Sequence, residues 1–212
     1  MDEALVNYLK NNLPPVDQWV RDMEEVAKEE NIPIMDPLSM NFLMQLIRLK
    51  KPARILEIGT AIGYSALRMS EAHHYAEIVT IERDKHRYNQ AIDNIKKYGD
   101  KADIQVIFGD AMEKLNDLPS DKLFDMVFID AAKGQYKHFF ELSRPLLTEN
   151  GFIVSDNVLF KGFVAEPETD NKRLKKIAGK IRDYNDWLIQ QPDFFTTIIP
   201  IGDGVAISSK SN

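Results

Sequence analysis

The feature that most constrains the fold of this 212-residue chain is an alternation. Short apolar runs rich in β-branched residues recur at 53–59 (ARILEIG), 76–82 (AEIVTIE), 103–109 (DIQVIFG), 123–130 (LFDMVFID) and 151–156 (GFIVSD). Longer stretches of helical period lie between them, at about 64–72, 84–98 and centred on 135–147. Strands buried on both faces read as unbroken apolar runs, and helices between them are the crossovers of βαβ units, so the pattern predicts a parallel sheet. Asp84 is placed to cap the second helix, and Gly99 to stop it as its C′ residue. The alternation breaks at the end, where FFTTIIPIGDGVAISSK (194–210) holds two strand-like runs around GDG. That is a hairpin signal, so the last strand is expected to run antiparallel. Residues 3–50 predict two or three helices with Pro14, Pro15, Pro33 and Pro37 as breakers. They form a helical cap (1–50) on a core covering 51–212, within one domain.

Composition narrows the function classes. No apolar run approaches the roughly 20 residues of a membrane span, and the opening MDEALVNYLKNN lacks the layout of a signal peptide, so a cytoplasmic protein is expected. With no Cys, disulfides and thiolate metal sites are excluded, and a metal would sit on oxygen or imidazole. The net charge of −6 gives no general attraction to nucleic acid. Charge is unevenly placed, however: KRLKKIAGKIR (172–182) carries six basic residues and no acid, and without it 21 basic residues face 33 acidic ones.

Open parallel sheets bind ligands outside the carboxyl ends of their strands. After the first strand comes EIGTAIGYS, with Glu57, Gly59, Gly63 and Ser65, where glycines allow a tight turn into a helix. The dinucleotide fingerprint GxGxxG is absent, which disfavours an NAD-dependent protein. Glu82 ends the second strand, where a carboxylate can accept both hydroxyls of a ribose, and GDA (109–111) follows the third, with Asp110 and Ala111 where an adenine would lie. The fourth strand ends in Asp130 and the fifth in Asp156 and Asn157. Taken alone, Asp130 also reads as a helix N-cap.

In this order and spacing, EIGTAIGYS, TIERD, FGDAME, FIDAAKGQY and SDNVLFKG resemble the cation-dependent O-methyltransferases of the caffeoyl-CoA and catechol type, over about residues 30–209. The resemblance implies a class I, Rossmann-like methyltransferase fold with a seven-stranded, mostly parallel sheet, a reversed last strand and S-adenosylmethionine as cofactor. It implies that Glu57, Gly59 and Ser65 line the methionine end, Glu82 holds the ribose, Asp110 and Ala111 flank the adenine, and Met35 closes the pocket from the cap. Asp130 also borders the cofactor. Two carboxylates and an amide oxygen, Asp130, Asp156 and Asn157, form a hard oxygen site suited to Mg²⁺ or Mn²⁺. About three of six octahedral positions would remain for a water and two neighbouring substrate oxygens. Lys133 resembles the family lysine that takes or stabilises the hydroxyl proton. Plant members usually carry an acid where this chain has Ala132.

Among small bacterial relatives the chain is most similar to methyltransferases that convert 5-hydroxyuridine in the tRNA anticodon to 5-methoxyuridine. The 5-hydroxyl and 4-carbonyl of that base are vicinal oxygens that chelate as a catechol does. The alternative substrate is a small catechol or caffeoyl-CoA-like ester; the variable loop FKGFVAEPETDNKR (160–173) holds nothing that marks a coenzyme A pocket. For RNA, Lys172, Arg173, Lys175 and Lys176 are the candidate contacts, against a plain solvated face as the simpler reading. His73, His74, His86 and His138 have no ligand spacing. The stripes of Met23, Val26 and Ala27 and of Phe42, Met44 and Leu46 read as core or dimer contact, and the family is commonly homodimeric.

Overall fold

The computed structural model describes residues 3–165 and 170–211. Three helices, α1 (Glu3–Asn11), α2 (Gln18–Glu29) and α3 (Pro37–Lys50), precede the alternating part. There follow β1 (Arg54–Ile58), α4 (Tyr64–Ala72), β2 (Glu77–Glu82), α5 (Lys85–Tyr98), β3 (Asp103–Phe108), α6 (Ala111–Asp117), β4 (Phe124–Ile129), α7 (Tyr136–Ser143), β5 (Leu147–Ser155), α8 (Lys172–Ile189), β6 (Phe194–Ile199) and β7 (Val205–Lys210). The seven strands form one sheet in the order β3-β2-β1-β4-β5-β7-β6. The first five are mutually parallel, and β7 is antiparallel to both β5 and β6, as the hairpin signal predicts.

Strand alternation divides the core in two. Ile55, Met126, Phe128 and Phe152 face the cap, where Met23, Met35, Met44 and Ile47 pack on them through α4. Leu56, Ile58, Val127 and Ile153 face the other way, onto Phe139, Phe140, Tyr184 and Leu188 of α7 and α8. Helix α4 lies between cap and sheet, and seven successive residues, Tyr64–Ser70, are buried. Each fully buried large apolar side chain contributes on the order of 1.5–3 kcal/mol, so the cap is part of the packed structure. Within the methionine-rich stripes, Met23, Ala27 and Met44 are core, whereas Val26 is exposed.

Several boundaries differ from the sequence expectation. Pro37 starts α3 instead of breaking it, because the first helical turn needs no proline N–H, and Asp36 caps that turn through Leu38 N at 2.9 Å. The segment at 135–147 splits into 3₁₀ turns at Lys133–Gln135 and Arg144–Leu146 flanking a short α7, with Pro145 ending the α-helix. Strand β5 starts at Leu147, which pairs with Phe124 before the register slips and resumes at Phe152 with Met126. Asp84 caps α5 through His86 N and Arg87 N. Gly99 ends that helix at φ −100°, not in the left-handed region.

Candidate active site

Loops from the carboxyl ends of β1 to β5 enclose a cavity of about 340 Å³, closed on one side by Ile32–Met35 of the cap. Gly59, Ser65, Glu82, Asp110, Ala111, Asp130, Lys133 and Asn157 all line it, so the structure brings together most of the residues singled out in the sequence. Gly59 sits at φ +107°, and a Cβ there would lie 2.2 Å from the Asp130 carbonyl oxygen. Only glycine lets β1 turn this close to β4.

Glu57 does not reach the cavity; it lies buried beneath it. Its side chain points to the α4 side of the sheet, where it accepts hydrogen bonds from Ser65 Oγ at 2.5 Å and Thr80 Oγ1 at 2.6 Å. Burial pushes this carboxyl up to about 7, against the two hydroxyls that lower it. Glu57 therefore acts on the cavity through Ser65, whose proton it engages so that hydroxyl lone pairs remain for a ligand. Glu82 accepts from Ala61 N at 2.9 Å and Asp84 N at 2.7 Å, which fixes its carboxylate at the wall. Asp110 lines the cavity while also capping α6 through Met112 N at 2.9 Å. The cap is tied down by Tyr64 donating to Glu24 at 2.7 Å and by the ion pair of Arg87 with Glu30 at 3.0 Å.

At the β4–β5 end, Asp130 and Asn157 line the cavity and Asp156 lies just behind them, 1% exposed. One Asp156 oxygen, Oδ2, accepts from Asn157 Nδ2 at 2.6 Å. The other, Oδ1, is buried with no hydrogen-bond partner. Lys133 Nζ donates to Asn157 Oδ1. Burial pushes Asp130 up to about 6, opposed by Lys133, and burial followed by the charge of Asp130 holds Asp156 well above the usual carboxylate range. Two desolvated carboxylates side by side, one with an orphaned oxygen, carry more negative charge than Lys133 balances. Among the described residues no three His, Cys, Asp or Glu side chains cluster as a metal site; the oxygens gathered here come from two acids and an amide, Asp130, Asp156 and Asn157. Such a set fits a hard divalent cation.

The loop carrying these donors is held from outside the cavity. Asn157, Phe160 and Lys161 all have positive φ, at 59°, 46° and 55°. Tyr136 Oη donates to the Asp156 carbonyl at 3.0 Å and Asn185 Nδ2 to that of Val158 at 2.8 Å. From the β6–β7 hairpin, the Asp203 carbonyl accepts from Leu159 N at 2.9 Å and its carboxylate accepts from Lys161 N. Sequence reasoning missed this contact of Asp203 with the loop: GDG read only as a turn. A Cβ on Gly204 would lie 2.4 Å from Leu159 Cγ, so the hairpin tip is built to abut the donor loop.

A family model described as O-methyltransferase matches residues 17–211. The chain belongs to the O-methyltransferase family. It is 30% identical to a flavonoid 3′,5′-methyltransferase of Vitis vinifera, covering 98% of this chain and 94% of that one. It is 33% identical to a caffeoyl-CoA O-methyltransferase of Populus kitakamiensis, over 80% and 74% of the two chains. The SAH-bound methyltransferase PaMTH1 of Podospora anserina superposes with a TM-score of 0.89 at 27% identity, covering 99% of this chain and 95% of that one. The protein is thus an S-adenosylmethionine-dependent O-methyltransferase of the caffeoyl-CoA type with the class I fold.

Of the RNA candidates, Lys172, Arg173, Lys175 and Lys176 are exposed at the start of α8, outside the cavity. Part of the expected substrate loop, residues 166–169, lies outside the described residues. No helix among the described residues is long and apolar enough to cross a membrane.

Proposed function

We propose that this enzyme methylates the 5-hydroxyl of 5-hydroxyuridine in a tRNA anticodon, with a divalent cation held by Asp130, Asp156 and Asn157. The observation that carries the cation is the orphaned, buried Asp156 Oδ1 beside a second, half-buried carboxylate, that of Asp130. When bound, Mg²⁺ or Mn²⁺ would favour the ionised form of a hydroxyl presented beside a second oxygen. Lys133 is the residue at the cavity able to take the hydroxyl proton or hold the resulting oxyanion. Glu82, Asp110, Ala111 and Met35 would enclose the nucleoside part of S-adenosylmethionine, and Gly59 and Ser65 its methionine part. S-adenosylmethionine bound there would supply the methyl group to that oxygen, its sulfur keeping the bonding pair as S-adenosylhomocysteine.

The tRNA reading is supported by the basic start of α8 in a chain of net charge −6. The second reading, a small catechol or caffeoyl-CoA-like acceptor, is favoured by the names of the plant relatives. Exposed Tyr8, Val26 and Leu49 support a homodimer formed through the cap. Mass spectrometry of tRNA nucleosides from a deletion strain tests the first reading: 5-hydroxyuridine should accumulate at the expense of 5-methoxyuridine. An unchanged nucleoside profile, together with turnover of a catechol by the purified enzyme, would establish the second.

A further inference from the structure

We infer that Arg173, Lys176 and Lys180 form a track for the phosphates next to the methylated nucleotide, while Lys172 and Lys175 stand off it. The inference rests on the tRNA reading and assigns its contacts. The observation behind it is a close approach. A Cβ on Gly134 would lie 3.1 Å from Lys180 Nζ, so this ammonium sits over the 3₁₀ turn Lys133–Gln135. Lys133 and Gln135, on either side of Gly134, both line the cavity. A positive charge therefore stands over the turn that carries the candidate base, beside residues that line the cavity.

Helical geometry extends that charge into a line. At about 100° per residue, Arg173 and Lys176 fall within roughly 40° of Lys180, whereas Lys172 and Lys175 lie about 80° and 140° away. Arg173 to Lys180 spans about 10 Å, about three steps of a strand at roughly 3.4 Å of axial rise each, so the three cations can follow successive phosphates. Arg173, Lys176 and Lys180 are exposed, and none forms an ion pair with a described carboxylate. Asp183, one turn beyond Lys180, makes no ion pair with it either. Arg182 is excluded from the track because its Nε donates to the Val164 carbonyl at 2.8 Å.

The track is also held in register with the chemistry. On the same helix, Tyr184 shares a 2.8 Å hydrogen bond with Ser155, and Asn185 holds the Val158 carbonyl; these residues bracket Asp156 and Asn157. Ala178 and Ile181 pack on Phe160 just beyond. A phosphate seated on Lys180 is thus positioned relative to the cation donors through one rigid helix. A small acceptor in the cavity gains nothing from it.

Two charge-matched pairs test the assignment: Lys176→Gln with Lys180→Gln, and Lys172→Gln with Lys175→Gln. tRNA bearing 5-hydroxyuridine is titrated by fluorescence anisotropy across a salt series, and turnover of tRNA and of a free catechol is measured in parallel. The first pair should flatten the log–log salt slope by about 1.5 units, at roughly 0.7–0.9 per lost phosphate contact, and lower the ratio of tRNA to catechol turnover at least tenfold. The second should change the slope by less than about half a unit. Equal effects of the two pairs, or a larger effect of the second, would overturn the track while leaving the tRNA reading intact. A wild-type enzyme that turns over catechol but neither binds nor methylates the tRNA would overturn both.

Discussion

Replacing Glu57 with Gln should remove a pH dependence that the wild-type fold carries. In the folded protein the carboxyl titrates at about 7, pushed there chiefly by burial, against an ordinary value of 4.5. Below 4.5 it is protonated in both states and contributes no slope. Between 4.5 and 7 the unfolded chain has lost the proton and the folded chain keeps it, so stability falls as pH rises. Above 7 both are ionised, and the accumulated loss is on the order of 3 kcal/mol. Urea unfolding of the cofactor-free enzyme in chelator, followed by circular dichroism from pH 5 to 8, measures this as a difference between wild type and variant. The variant should gain on the wild type as pH rises, by up to that amount, while other titrating groups largely cancel. The cofactor should reverse part of the loss, because the sulfonium and ammonium of S-adenosylmethionine favour an ionised Glu57. In the variant an amide N–H₂ replaces one acceptor, so either Ser65 or Thr80 must turn its hydroxyl around. S-adenosylmethionine affinity should then fall about tenfold, near 1.4 kcal/mol. Parallel stability profiles for the two proteins would refute the reasoning, since a buried carboxyl of raised affinity for protons cannot be replaced by an amide without changing the slope.

Chelation should abolish methyl transfer, added Mg²⁺ or Mn²⁺ should restore it, and Asp156→Ala should resist that restoration; full turnover by metal-stripped enzyme would count against the donor set. Lys133→Ala should lower kcat more than it raises KM, because a base or oxyanion partner acts mainly in the transition state, and steady-state kinetics on either acceptor will tell. Lys133→Arg should not restore the rate, since a guanidinium does not accept a proton at working pH. Glu82→Ala should weaken S-adenosylmethionine by roughly 1–3 kcal/mol in calorimetry while largely sparing Mn²⁺ binding. Part of that loss will come through the Ala61 and Asp84 amides that Glu82 holds, so Glu82→Gln should fall between the two.

Much of this site was legible in the sequence because strand ends are legible. A run such as FDMVFID announces both a buried strand and the position where it stops, and the sheet rule assigns ligands to that edge. Glu57 defeated the reading by depth: it stands two residues before Gly59 on the same face of the sheet, still inside β1, where Ser65 and Thr80 cover its carboxylate below the cavity. Asp203 was illegible for another reason. Its contact with Lys161 spans 42 residues and depends on β7 inserting between β5 and β6, which no local pattern encodes. The basic segment 172–182 was visible as composition, but which of its charges turn toward the cavity required the packing of α8 on the turn at Gly134.

Strand register explains why the chemistry collects where it does. The first residue past each strand extends the ladder by one step: Gly59 N donates to Ile81 O at 3.1 Å, Asp130 N to Ile58 O at 3.0 Å and Asp156 N to Ile129 O at 3.0 Å. Ile58 is opposite Ile129, and Ile129 opposite Ser155, so Gly59, Asp130 and Asp156 form one row across the sheet. Neighbours in such a row are about 4.8 Å apart and direct their side chains to the same face. Two carboxylates at that spacing, largely removed from water, repel strongly unless a proton or a cation lies between them. The glycine at the head of the row keeps the adjacent position free of a side chain, on the side where Ser65 and Glu82 line the cavity. With β1 between β2 and β4, the same row separates the cavity wall built from the ends of β1, β2 and β3 from the oxygen cluster built from β4 and β5, and Asp130 stands where the two meet.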